Sequence, residues 1–262
     1  MAIPETDPSA PRTVQSVTRA VALLKEIART PQPSTLSDLA RAAGLSKPAV
    51  YNLLKTLEIE GLVRKDDDAR YTLTWGMYEL GTAVLRGVDV SRIARVHLDN
   101  LAVQTGEAAL LAILDDDSVL YLDRGQSAET FTMVANVGRR SPLYTNASGK
   151  VLLAGQSPQF IDRILAGPLE KRTPHTIVDR RELLTELDQV RRNGYATCRE
   201  EQEVGLSSIA VPVLDHTGGV TAALTIAGPA SRVNDLAWDG LLGNLRKEAR
   251  EISERLGSTV AA

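Results

Sequence analysis

Two groups of residues in this 262-residue chain have types and spacings that could do chemistry. The first is Lys47, Tyr51, Asn52, Lys55 and Thr56, which at helical pitch share one face. Together they offer two ammonium groups, an amide, a phenol and a hydroxyl, the donors that nucleic-acid recognition uses. Lysine pairs with phosphate oxygens, and an asparagine amide matches the edge of adenine. The second group is Ala147-Ser148-Gly149-Lys150 together with Ser207, Ser208 and Thr225. The four consecutive residues read as a helix start, where free N–H groups favour a carboxylate or another anion. The hydroxyls sit on or beside strand-like runs, where they can satisfy ligand oxygens in an otherwise apolar cavity.

Catalytic patterns fail when tested one by one. A phosphate loop ending in Gly149-Lys150 would need glycine where Tyr144 stands and Ser or Thr where Val151 stands. Gly205-Leu206-Ser207-Ser208-Ile209 lacks the closing glycine of a nucleophile elbow. The single cysteine, Cys198, precludes an internal disulfide and reads as a packed strand residue, although Arg199 beside it would favour a thiolate. Glu200, Glu201 and Glu203 read as a solvated or salt-bridged loop. The three histidines, His97, His175 and His216, show no metal-ligand spacing, so neither a metal nor a cofactor is expected. An enzyme acting on a small molecule in the C-terminal half remains the rival reading, and a scaffold responding to a protein partner is a third.

The elements that must position the first group are short and well punctuated. Val17, Val21, Leu24 and Ala28 predict an amphipathic helix over Val14–Ala28, ended by Pro31 and Pro33. Thr35 and Asp38 form an acidic variant of the capping box, and Gly44 is placed to close the second helix in the left-handed conformation. Ser46 is the expected N-cap of a third helix with Pro48 in its first turn. That helix runs to about Glu60 and turns Ala49, Val50, Leu53, Leu54 and Leu57 inward. Two strand-like runs, Leu62–Lys65 and Arg70–Leu73, flank a polar turn. Three helices and a hairpin in this order are the pattern of a winged helix-turn-helix, with a small α+β packing unit as the bland alternative. Candidate DNA-contacting residues are Arg19, Ser46, Lys47, Tyr51, Asn52, Lys55, Thr56 and, in the wing, Arg64, Lys65 and Arg70.

A helix over Trp75–Leu85 marks the junction; Trp75 and Tyr78 there face either a partner or their own domain. A fresh helix follows over Ser91–Thr105, and strands and helices then alternate. Strands are expected at Ala108–Leu114, Val119–Asp123, Phe131–Val134, Ile209–Leu214 and Val220–Ala227, and helices at Ser148–Ala154, Pro158–Leu165 and Glu182–Arg192. Ser231 should open a long C-terminal helix. The fold class is α+β, with a mostly antiparallel sheet covered by helices. The segment Ser9–Lys65 holds nine basic and four acidic residues, so it carries a local charge of +5 while the rest of the chain carries −8. This asymmetry fits a nucleic-acid reader joined to an acidic partner domain. With 43% hydrophobic residues and neither a spanning apolar run nor a signal-peptide layout, the chain is expected to be globular and cytoplasmic, with no membrane partner.

Several fragments, in order, resemble the IclR-type (isocitrate lyase regulator) family of bacterial transcriptional regulators from about Val14 to Leu256. They are Leu36-Ser37-Asp38-Leu39-Ala40, Gly44-Leu45-Ser46-Lys47, Pro142–Ala154, Gly194–Glu201, Gly205–Val213 and Leu224–Pro229. Residues 1–12, rich in Pro and acid and outside the resemblance, are expected to be a disordered tail; the resemblance implies a winged helix-turn-helix over 13–74, a linker helix that dimerises over 75–90, and a GAF-like or profilin-like effector-binding domain over 91–262. It also implies double-stranded operator DNA, a small organic acid or aromatic effector, and a homodimer or dimer of dimers. Family pocket positions correspond to Ala147, Ser148, Cys198, Ser208, Thr225 and Ala227; Gly149 and Ser207 join them from the residue reading. Cys198 stands where relatives commonly carry Asp, and Ala227 where some carry Ser, which implies a larger or more apolar ligand. Asn52 stands where many relatives carry Arg, which implies a different operator sequence.

Overall fold

The computed structural model describes residues 13–30, 32–85, 89–125, 137–235 and 237–259. They form two compact units, one ending at Gly87 and the other beginning at Val88. The expected tail over 1–12 and the strand at Phe131–Val134 lie outside the described residues.

The first unit contains α1 (Gln15–Arg29), β1 (Ser34–Thr35), α2 (Leu36–Ala43), α3 (Lys47–Ile59), β2 (Val63–Lys65), β3 (Arg70–Leu73) and α4 (Trp75–Leu85). Short-range signals set most of these ends. Thr35 Oγ1 accepts from the Asp38 amide and donates to the Asp38 carboxylate, so the capping box forms as expected. Gly44 ends α2 in the left-handed region at φ 63°. Ser46 occupies the N-cap of α3, but its side chain makes no capping bond, contrary to expectation. Leu23, Ile27, Leu39, Val50, Leu54, Leu57, Val63 and Tyr71 make the core. The apolar stripe expected on α1 is rotated: Leu23 and Ile27 are buried, while Val17 and Val21 are exposed. The hairpin β2–β3 forms with Val63 opposite Leu73, and β1 adds a third, unforeseen strand on the far side of β3.

The second unit contains α5 (Asp89–Thr105), β4 (Ala108–Asp115), β5 (Ser118–Arg124), β6 (Arg140–Pro142), α6 (Ala147–Ala154), α7 (Pro158–Ile164), α8 (Arg180–Asn193), β7 (Ala196–Arg199), β8 (Leu206–Leu214), β9 (Val220–Pro229) and α9 (Trp238–Arg255). The strands form one antiparallel sheet in the order β6-β5-β4-β9-β8-β7. The hairpin between β8 and β9 is closed by the Asp215 carboxylate, which accepts from the Thr217 and Gly219 amides. The C-terminal helix starts at Trp238, not at Ser231, because residues 230–235 turn back by bonding to the Pro229 carbonyl and to Gly205. Pleating divides the sheet into two apolar faces. Leu110, Ala210, Cys198 and Ala227 face α6, α7 and α8. Leu111, Ile209, Val211 and Ile226 face α5 and α9. The result is a three-layer α/β/α unit, the α+β architecture expected.

Candidate functional site

On α3 the buried face is Val50, Leu54 and Leu57, and the opposite face leaves Lys47, Tyr51, Asn52, Lys55 and Thr56 exposed, with Ser46 just before them. Not all of these groups are free. Lys55 Nζ donates to Glu58 Oε2 at 2.9 Å, and Thr56 Oγ1 donates to the Asn52 carbonyl at 3.1 Å. Lys47, Tyr51 and Asn52 are the exposed side chains of this face not engaged in such a bond among the described residues. In the wing, Arg64 Nε donates to Thr72 Oγ1 at 3.2 Å and Lys65 sits 5.9 Å over the Tyr71 ring. Arg70 Nη1 reaches back to the Pro33 carbonyl at 3.2 Å, which ties the wing to the strand before α2. Arg19 lies half-buried on α1. On α4, Trp75 is 80% exposed, with Tyr78 packed edge-on against it.

The second site is a cavity of about 40 Å³ on the α6 side of the sheet. Strand register builds it. Cys198, Ser208 and Ala227 stand side by side across β7, β8 and β9, and Thr225 lies two residues along β9 on the same face. All four line the cavity with Leu110, Tyr121, Arg139, Ser141, Asn146, Gln202, Glu203 and Leu206. Ser207 is one residue out of phase, on the α5–α9 face with Ile209, so pleating separates it from the cavity. Ala147, Ser148 and Gly149 are buried behind the lining. Ser148 Oγ bonds Thr225 Oγ1 at 2.8 Å and so acts on the cavity one bond removed. The sequence predicts free amides at this helix start, but two of them are already taken. The Gly149 amide donates to Asn146 Oδ1 at 2.9 Å and the Lys150 amide to the Asn146 carbonyl at 3.0 Å.

Burial sets the electrostatics. It pushes the Tyr121 hydroxyl up to about 12, so this phenol stays a neutral donor. The Cys198 thiol is likewise raised by burial and donates to the Thr145 carbonyl at 3.4 Å, as a packing cysteine and not an activated nucleophile. Lys150 is fully buried, and Nζ donates to Glu201 Oε1 at 2.7 Å, Glu186 Oε1 at 3.1 Å and the Thr197 carbonyl at 3.3 Å. This cluster anchors the segment carrying Gln202, Glu203 and Leu206 over the cavity. Burial holds the Glu201 carboxyl above its usual range, against the opposing pull of Lys150. Sequence reasoning missed Tyr121, Arg139, Asn146 and Gln202; only Asn146, an N-cap residue directly before Ala147, left a local signal. Arg139 is the one cation in the lining, and no hydrogen bond or ion pair of its guanidinium occurs among the described residues. These groups make the cavity richer in hydrogen-bonding partners than Cys198 and Ala227 alone imply.

A winged helix-turn-helix with an open recognition face, joined in one chain to an α+β domain with an internal cavity, defines a helix-turn-helix transcriptional regulator. Residues 16–67 match the model of the IclR helix-turn-helix domain, and residues 82–254 match that of the bacterial transcriptional regulator IclR C-terminal domain. The chain is 36% identical over 249 residues to the HTH-type transcriptional regulator KdgR of Escherichia coli, spanning 94% of each protein. It superposes on the crystal structure of Thermotoga maritima IclR with a TM-score of 0.79 at 31% identity, covering 92% of this chain and 98% of that one. An IclR homologue of Microbacterium hydrocarbonoxydans, complexed with 4-hydroxybenzoate, superposes with a TM-score of 0.82 at 26% identity, covering 92% and 99%. The chain belongs to the IclR family of bacterial transcriptional regulators. Among the described residues no helix is long and apolar enough to cross a membrane.

Proposed function

We propose that this chain binds a pseudo-palindromic operator as a cytoplasmic homodimer, or a dimer of dimers, and that a small organic acid in the second unit adjusts its affinity for DNA. Two copies of α3 enter successive major grooves. Asn52 reads a base edge, while Lys47, Lys55, Lys65 and Arg64 contact phosphates; Tyr51, Thr56, Ser46, Arg19 and Arg70 position these contacts. In the cavity, Cys198, Ser208, Thr225 and Ala227 shape the bound effector, with Ser148 and Gly149 supporting them from α6. The observation that carries the acid is Arg139, an exposed cation without a described partner at a cavity whose other lining groups are neutral apart from the exposed Glu203. A relative in complex with 4-hydroxybenzoate supports the same class of ligand.

A cavity of about 40 Å³ holds only a few waters. Entry of an organic acid therefore moves the cover formed by Gln202, Glu203 and Leu206. The ligand acts on DNA through its different affinity for the closed and opened arrangements. The test is binding of the purified protein to DNA upstream of its own gene at two salt concentrations, with and without aliphatic and aromatic acids. Specific, salt-sensitive binding altered by one acid is the expected result. Specific DNA binding that no acid alters would sink the effector reading, and a folded protein that binds no specific site would sink the operator reading.

A further inference from the structure

The contact between α5 and α9 buries a set of groups that neither the DNA face nor the cavity uses. His97 on α5 is 5% exposed and Glu248 on α9 is 2% exposed. His97 Nδ1 lies 2.5 Å from Glu248 Oε2 and 3.8 Å from Glu251 Oε2. Glu248 and Glu251 are three residues apart, so one turn of α9 presents both carboxylates to the same ring. Among the described residues these three bring one donor atom each to within 4.8 Å of one another. The Glu251 side chain is half-exposed and opens the cluster to solvent on one side.

One imidazole nitrogen has at most one hydrogen to give. If Nδ1 donates it to Glu248, Glu251 converges on the same nitrogen with nothing to accept, and two negative charges crowd one partner. His97 Nε2 is buried with no hydrogen-bond partner, so the ring is not held there by satisfaction of both its nitrogens. A doubly charged cation among the three donors supplies what one proton does not, bonding the nitrogen and both carboxylates and balancing their charge.

We infer that His97, Glu248 and Glu251 bind a divalent transition-metal ion of the zinc class, which clamps α5 to α9. The imidazole selects such an ion over magnesium or calcium, which prefer all-oxygen shells. Three protein donors leave a fourth tetrahedral position for water on the Glu251 side. Metal–ligand bonds of about 2.0–2.1 Å set tetrahedral ligands roughly 3.3 Å apart. Glu248 therefore retreats from the ring by somewhat under 1 Å, and Glu251 closes in. No local spacing signals this site, because His97 lies 151 residues from Glu248.

The test uses the full chain without an affinity tag, stripped with a chelator and titrated with zinc chloride by calorimetry. Cobalt chloride, followed through its visible absorption, reports the geometry. With three histidines and one cysteine in the chain, background binding is small. One zinc per chain and a raised melting temperature are expected, with magnesium without effect. Glu251→Gln, at a half-exposed position the fold tolerates, weakens zinc binding about tenfold or more and leaves the metal-free melting temperature near wild type. His97→Asn abolishes binding; if it fails to fold, Glu251→Gln alone decides. Absence of stoichiometric zinc or cobalt binding, or binding that Glu251→Gln leaves unchanged, overturns the site.

Discussion

Lys150→Met removes the ammonium at the centre of the buried cluster while retaining most of the stem, so little cavity is created. The lost bonds are those to Glu201 at 2.7 Å, Glu186 at 3.1 Å and the Thr197 carbonyl at 3.3 Å. The Glu186 side chain is 24% exposed and regains water, but that of Glu201 is only 7% exposed and its Oε2 already lacks a partner. Breaking one side of a buried ion pair costs about 3–5 kcal/mol, a large share of the roughly 5–15 kcal/mol that holds a domain together. Burial raises the Glu201 carboxyl and Lys150 opposes the rise, so the substitution lets it climb further. A carboxyl whose folded-state value lies above its unfolded one penalises folding once it ionises. Stability is then greatest below the usual carboxylate range and falls as pH rises through the folded value. The deficit of the variant is therefore small near pH ~4 and larger near pH ~7.5. Urea denaturation at both pH values measures it, and adding Glu201→Gln recovers most of the loss. A deficit below about 1 kcal/mol at the higher pH, or one equal at both, refutes the reasoning.

Four further outcomes are expected. Asn52→Ala lowers the preference for operator over random DNA by about 1–3 kcal/mol, roughly 5–150-fold, measured by competition binding; unchanged discrimination removes Asn52 from base reading. Arg139→Gln reduces the effect of an acid on DNA binding but not of its neutral amide, and an equal loss for both means that Arg139 does not hold the carboxylate. Gly149→Ala places a methyl group well inside contact distance of the Leu143 backbone, an obstruction that cannot rotate away. It should destabilise the second unit by about 3 kcal/mol, the top of the usual overpacking range, in thermal or urea unfolding. Thr35→Ala removes the cap on α2 and costs about 1 kcal/mol in the first unit, read by the same methods.

Short-range chemistry made much of this protein legible. Thr35 with Asp38, Gly44, Pro48 and the turn at Asp215–Gly219 each act over a few residues, so their types and spacing fix where elements begin and end. The outward face of α3 followed equally directly, because one helix has one apolar stripe to bury. On α1 the same logic failed: Val14, Val17 and Val21 form an apolar arc beside Leu23 and Ile27, and only the positions of α2 and α3 decide which arc is covered. The cavity divides in the same way. Ser208 and Thr225 follow from their own chemistry and Cys198 and Ala227 from the resemblance, but the exclusion of Ser207 depends on which pleat faces α6.

The charged clusters lay wholly beyond the sequence. Lys150 meets Glu186 and Glu201 across 36 and 51 residues, and His97 meets Glu248 across 151. Folding brings such groups together by packing apolar faces, a process in which the charges have no part until water has been squeezed out around them. Their pairing, and the energy attached to it, exists only at that low-dielectric contact. Local chain chemistry thus determined the elements and the DNA-facing side chains, and the packing of helices on the two faces of the sheet decided the rest.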